Sequence, residues 1–212
     1  MEKIKLIGFD LDGILVDSFS RGYSADCSII RKMGGIVPSI QDYKVALAEC
    51  GTNWEYFFGK FGVKDYTTAL DRYYNSPEVL DIKPIPGTRE TLEEILSKRI
   101  PMFLSSINSR KENVLKKLRN SGLQNYFQEG SIFVDPKSKV KSIIKACEQA
   151  GIKPSEALFV GDTVVDIRDS RKAGVPSVVI SNDYSFHPKN YLEKELPDYP
   201  ILKDIKEVLK II

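Results

Sequence analysis

Short, mostly apolar runs recur along this chain: Leu6–Phe9, Ile100–Leu104, Ile132–Val134, Ala157–Val160 and Ser177–Ile180. Amphipathic helical patterns separate the later ones. Thr88 is a plausible N-cap for a stripe of Leu92, Ile95 and Leu96, and Ser109-Arg110-Lys111-Glu112 has capping-box form before Val114, Leu115 and Leu118. Ser138 opens a helix with Val140, Ile143, Ile144 and Cys147 inward, Asp166 to Ala173 reads as a short helix, and Ile205, Val208, Leu209 and Ile212 form a closing helix. Gly122, Gly151 and Gly174 stand where these helices should stop. Strands this uniformly apolar are buried on both faces, which requires a parallel sheet with helices on either side. The expected fold class is therefore α/β, a doubly wound parallel sheet. Such sheets bind ligands at the carboxyl ends of their strands.

The first run ends in acids: Phe9-Asp10-Leu11-Asp12-Gly13. Asp10 sits at the strand tip, Asp12 follows two residues later, and Gly13 lets the chain turn away. Carboxylates this close repel unless a cation or a shared proton relieves them. An apolar strand needs no acids at its end in order to fold. The arrangement points to chemistry: a nucleophilic carboxylate, an acid/base partner and a metal.

Between about Phe19 and Lys83 the pattern is helical throughout. Phe19, Tyr23 and Ile30 mark one face and Tyr43, Ala46 and Leu47 another. Trp54, Phe57, Phe58 and Phe61 form an aromatic stretch, and Tyr66, Leu70, Tyr73 and Tyr74 recur at helical spacing. These aromatics are expected to form the insert's own core. The 212 residues suffice for a large domain carrying a small helical insert. A formal charge of +2, from 31 basic and 29 acidic residues, argues against a nucleic-acid binder driven by bulk charge. Cys27, Cys50 and Cys147 are an odd set without metal-ligand spacing, expected as reduced, mostly buried thiols; Cys147 should pack rather than react. No run approaches membrane length and no long apolar leader opens the chain, so a soluble, cytoplasmic protein without membrane contact is expected, a monomer by default.

Further elements converge on the first acids. Ser105-Ser106 follows an apolar strand and precedes Asn108 and a helix start. A lysine, Lys137, opens a helix, and Gly161-Asp162-Thr163-Val164-Val165-Asp166 closes the next strand. Each has a physical reason in phosphoryl transfer. Asp10 can attack phosphorus, splitting one hard displacement into two. Asp12 can protonate the leaving oxygen and then activate water. Mg²⁺ suits an all-oxygen site, with Asp10, Asp162 and the backbone carbonyl of Asp12 as ligands. A serine hydroxyl and helix-start amides can hold phosphoryl oxygens, and the lysine ammonium offsets their charge. Asp166, one turn after Asp162, can bind metal or cap its helix.

The set resembles the haloacid dehalogenase-like superfamily of phosphohydrolases. Its first motif, Asp-x-Asp-Gly-Thr/Val, is Asp10-Leu11-Asp12-Gly13-Ile14 here; its second is a Ser or Thr after an apolar strand, its third a Lys or Arg, and its fourth an acidic cluster like Gly161-Asp162-Thr163-x-x-Asp166. In the branch with phosphoglycolate phosphatase and β-phosphoglucomutase, a helical cap lies between the first two motifs, where the insert falls here. The resemblance implies a Rossmann-like core of residues 1–18 and 85–212 and a helical cap of residues 19–84. It implies a Mg²⁺-dependent phosphatase acting on a small phosphorylated metabolite through an aspartyl-phosphate. The third-motif lysine falls at Lys137, with Lys139 the alternative; Lys141 and Lys145 read as solvated. Ser106 is favoured modestly over Ser105.

Ile14 replaces the usual Thr or Val, a tolerable change at a core-facing position. Asp17 reads as a loop or hinge residue. His187, the only histidine, lies in a polar segment and is expected at the surface, which disfavours a Ser-His-Asp hydrolase. Asp12 disfavours a dehalogenase, which lacks that second aspartate, and none of Lys32, Lys44, Lys60 or Lys64 has the context of a phosphonatase's Schiff-base lysine. A sugar-phosphate mutase shares these motifs. From another class, the rival is a catalytically silent binding or regulatory protein on the same fold.

Overall fold

The computed structural model describes residues 3–51, 53–74, 79, 81–107 and 110–212. Asn108, Ser109 and the side chain of Tyr74, used in the sequence reading, lie outside them. The strands are β1 (Leu6–Phe9), β2 (Met102–Ser106), β3 (Ile132–Val134), β4 (Ala157–Gly161), β5 (Ser177–Ile180) and β6 (Ile201–Leu202). They form one sheet in the order β3-β2-β1-β4-β5-β6, with each neighbouring pair parallel. The doubly wound α/β fold is thus observed, and β1 is central, so the residues just beyond Phe9 emerge at the middle of the sheet's carboxyl edge.

Side chains alternate along a strand, and the two faces bury different clusters. Ile7, Phe9, Leu104 and Val160 face one side, with Leu92, Val114 and Leu118 of the helices α5 (Thr88–Ser97) and α6 (Lys111–Ser121). Leu6, Phe103 and Phe159 face the other, with Ile143, Ala146 and Cys147 of α7 (Val140–Ala150). Cys147 packs there as expected, and the three cysteines are free and buried. Asp10, two residues beyond Gly8, continues the α7 face.

The structure departs from the sequence expectation at β2 and the closing helix, starts the helix expected over residues 166–173 two residues earlier, caps two helices at Gly87 and Lys139 rather than Thr88 and Ser138, and adds elements besides short 3₁₀ turns. β2 begins at Met102 because Pro101 has no N–H to donate to the ladder; its carbonyl instead accepts from Ile7. The strand consequently runs through both serines. The closing helix is a 3₁₀ segment, Ile205–Lys210, that buries Ile205 and Val208, which eclipse at its three-residue period. The additions are β6 and the short helix α9 (Lys189–Glu195), whose polar surroundings hid them. The other late helix is α8 (Val164–Lys172).

The insert forms α1 (Ser18–Lys32), α2 (Ile40–Cys50), α3 (Trp54–Lys60) and α4 (Tyr66–Tyr74). They pack around Phe19, Ile30, Tyr43, Phe57, Phe58 and Phe61, a cluster distinct from those of the sheet. Phe57 is the hub: its ring lies 5.1 to 5.7 Å, edge to face, from those of Tyr43, Trp54, Phe58 and Phe61. Each fully buried ring contributes roughly 2–3 kcal/mol of apolar burial, and each edge-to-face pair about 1 kcal/mol more. The two connections to the sheet run side by side. Val16 bridges Pro84, Asp17 N–H donates to Lys83 O, and Ile85 N–H donates to Leu15 O. Asp17 caps α1, accepting from Ser20 N–H at 2.9 Å. Among the described residues, no helix is long and apolar enough to cross a membrane.

Candidate active site

Asp10, Asp162 and Asp166 are brought together at the carboxyl edge of β1 and β4. One oxygen of each lies within 4.8 Å of the others, and all three residues are buried. The approach is possible because glycines line it. Gly13 has φ +79°, and a Cβ there would meet Asp162 Oδ2 at 2.4 Å. A Cβ on Gly161 would meet Asp166 Cβ at 2.3 Å. Both positions require a residue without a side chain.

Lys139 sits inside this cluster. Its Nζ lies 2.7 Å from Asp10 Oδ1 and 2.5 Å from Asp166 Oδ1, with the Phe159 ring beneath it. The lysine at the acids is therefore Lys139 and not Lys137, which is a correction to the sequence reading. The cause is local. Lys137 N–H turns back to Asp135 Oδ1, and its residue is exposed. Ser138 Oγ and Lys139 N–H both donate to Asp169 Oδ2 of α8, pinning the start of α7 against that helix. Lys139 thereby falls on the stripe of Ile143, Ala146 and Cys147. The spacing i, i+4, i+7, i+8 was a sequence signal for it.

Asp166 is engaged on both oxygens. Oδ1 takes Lys139, while Oδ2 accepts from Thr163 Oγ1 at 2.7 Å and from the N–H groups of Thr163 and Asp162. Thr163 Oγ1 in return accepts from Asp166 N–H, completing a capping box. Asp162 differs. Its Oδ2 accepts from Phe186 N–H at 2.6 Å, but its Oδ1 is buried with no protein partner. A buried carboxylate oxygen without a donor is costly. A hard divalent cation is the group that would relieve it, and an all-oxygen cluster is the donor set such a cation prefers. The residues present fit Mg²⁺ on these grounds.

The electrostatics agree. Burial pushes the Asp10 carboxyl up to about 7, its Lys139 contact opposing and the Asp166 and Asp12 charges adding. Burial, then the charges of Asp166 and Asp10, holds Asp162 well above the ordinary carboxylate range. Burial also works against the Lys139 ammonium, but Asp10 and Asp166 outweigh it and raise its pKa. Lys139 and Thr163 likewise overcome burial to hold Asp166 low. The raised values of Asp10 and Asp162 mark two buried acids that resist ionising side by side unless a cation relieves them.

Asp12 points elsewhere. Its carboxylate lies outside the three-acid cluster, and Oδ1 takes Lys117 Nζ of α6 at 2.5 Å. Lys117 was missed in the sequence. It stands three residues after Val114 and four before Ser121, on the buried face of its helix. Both serines are buried. The pairing of Phe9 with Leu104 sets Ser105 beside Asp10 on the α7 face, and its hydroxyl is buried without a protein partner. Ser106 projects to the opposite face by strand alternation.

His187, expected at the surface, is buried instead. Its Nδ1 accepts from Val164 N–H at the first turn of α8, and Tyr191 packs edge-on against it. The helix supplied an unpaired backbone donor, and the imidazole satisfies it. Burial lowers its pKa to about 4, so it is neutral at pH 7.

A parallel α/β sheet with a carboxylate cluster and a buried lysine at its carboxyl edge is an arrangement suited to phosphoryl transfer. The chain belongs to the haloacid dehalogenase-like hydrolase family, whose model matches residues 7–180. It is 26% identical over 207 residues to a phosphoglycolate phosphatase from Aquifex aeolicus, covering 93% of this chain and 92% of the relative. It is 24% identical over 217 residues to the pyrophosphatase PpaX of Halalkalibacterium halodurans, covering 99% and 97%. A solved haloacid dehalogenase-like hydrolase from Streptococcus pneumoniae superposes with a TM-score of 0.77 at 25% identity, covering 100% of this chain and 99% of that one. The chain is accordingly a phosphohydrolase of this family.

Proposed function

We propose that the protein is a Mg²⁺-dependent phosphatase that hydrolyses a small phosphate monoester through an aspartyl-phosphate on Asp10. The buried cluster of Asp10, Asp162 and Lys139, with its unpartnered Asp162 oxygen, carries the reading. A carboxylate oxygen of Asp10 bonds to phosphorus as the bond from phosphorus to the leaving oxygen breaks, and Asp12 gives that oxygen its proton. Water then attacks phosphorus, its proton passes to Asp12, and the Asp10–phosphorus bond breaks to regenerate the carboxylate. Asp10, Asp162 and the backbone carbonyl of Asp12 would hold the cation, and Asp166 orders the loop and Lys139 around them. The cation supplies charge neutralisation between two anions that would otherwise repel. Lys139 shares that task, and Ser105 is the better placed of the two serines to receive a phosphoryl oxygen, since it shares a face with Asp10.

The helical unit of residues 19–84 serves as a cap over the sheet edge, which favours small phosphorylated metabolites over macromolecular substrates. The relatives named for phosphoglycolate and pyrophosphate hydrolysis support a compact, phosphate-bearing substrate. Three buried free thiols suit a reducing, cytoplasmic setting. The test is hydrolysis of p-nitrophenyl phosphate and a panel of phosphorylated metabolites, each with Mg²⁺ and with EDTA. Metal-dependent release of phosphate is expected. No release from any ester refutes the reading.

A further inference from the structure

We propose that Lys117 is a positioning residue for Asp12, fixing the carboxylate that exchanges the proton with the leaving oxygen and with water. The inference rests on the phosphatase reading and concerns a residue that none of the four motifs contains. Asp12 lies in the turn after β1, where Gly13 departs with positive φ and backbone hydrogen bonds among Leu11, Gly13, Leu15 and Val16 close the loop without engaging the Asp12 carboxylate. Its side chain is outside the acid cluster and has no part in the network that Asp166 organises. What holds it is Lys117 Nζ at 2.5 Å from Oδ1.

The placement of Lys117 is unusual for its kind. Its side chain is 9% exposed, on the face of α6 that also buries Val114, Leu118 and Ser121. A lysine on such a face must desolvate its ammonium, and it remains there only with an anionic partner. The helix is itself anchored against the sheet, so the ammonium is presented from a rigid element rather than a loop. With Oδ1 engaged, Oδ2 is the oxygen left to exchange the proton. A proton donor is effective only within hydrogen-bond reach of the atom it serves, and a misplacement of about 1 Å can cost on the order of 100-fold in rate. Lys117 therefore acts through Asp12 and not on the phosphoryl group, whose charge is met by Lys139.

The distinction is measurable through the leaving group. p-Nitrophenolate departs readily without a proton, whereas phenolate needs one far more. We compare kcat/KM for p-nitrophenyl phosphate and phenyl phosphate, both with Mg²⁺, in the wild type, K117M and K117R. K117M should lose roughly tenfold or more on phenyl phosphate beyond its loss on p-nitrophenyl phosphate. K117R, which keeps the charge, should recover most of that difference. If K117M does not fold, by circular dichroism, K117Q takes its place. Equal losses on the two esters, or no loss on either, overturn the inference while a turning-over wild type leaves the phosphatase reading standing. A wild type that hydrolyses neither these esters nor any other removes both.

Discussion

Lys139 neutralises Asp10 and also joins Asp10, just beyond β1, to Asp166 of α8. Removing one member of such a buried network leaves the others uncompensated, at a cost of about 3–5 kcal/mol. K139M should abolish turnover and lower stability by that order. K137M, at an exposed position, should leave stability within about 0.5 kcal/mol and activity nearly unchanged. Chemical denaturation with parallel assays checks both, and a dead K137M with an active K139M would contradict the assignment. Both lysines stand at a helix start in the sequence. The apolar stripe of α7 favours Lys139, and what fixes the choice is the local turn at Asp135 together with two donors to Asp169, about thirty residues away.

The elements that were legible are those whose pattern is local. β1 and β4 are unbroken apolar runs, and α7 carries an apolar stripe ended by Gly151, so periodicity alone placed them. The acids followed, because a residue just after a central parallel strand has only one edge to occupy. His187 was misread because its environment is tertiary: the polar segment around it folds back so that the imidazole meets the N-terminus of α8. That contact has a pH signature. The folded pKa is depressed to about 4 against 6.5 unfolded, so the unfolded chain binds the extra proton between these values. The stabilisation is full above about pH 6.5 and is lost as the pH falls toward 4, by at most roughly 3 kcal/mol. Thermal midpoints of wild type and H187Q should converge as the pH is lowered through this window. A constant gap between them would remove His187 as the titrating group.

Across the whole molecule, the helical unit touches the loop that also serves the site. Lys44 of α2 donates to the carbonyls of Asn182 and Asp183, and its Nζ lies 4.4 Å from the centre of the Phe19 ring. Phe19 packs edge to face on Phe186, whose N–H holds Asp162. The helical unit and the placement of Asp162 thus share one connected set of contacts. K44M keeps the stem's packing but drops the ammonium, so it should raise amide exchange in residues 182–187 while leaving exchange in β1 and β4 unchanged. Unchanged exchange in 182–187 would show that Lys44 does not tie the units together.

The covalent role of Asp10 is the claim on which the account turns. It is tested by acid-quenching the enzyme during turnover with Mg²⁺ and substrate, then locating the acyl phosphate by borohydride reduction and peptide mass spectrometry. The modification is expected on Asp10, and absent from a folded D10N variant that no longer turns over. Modification at another residue, or a D10N variant that retains most of the activity, would contradict it.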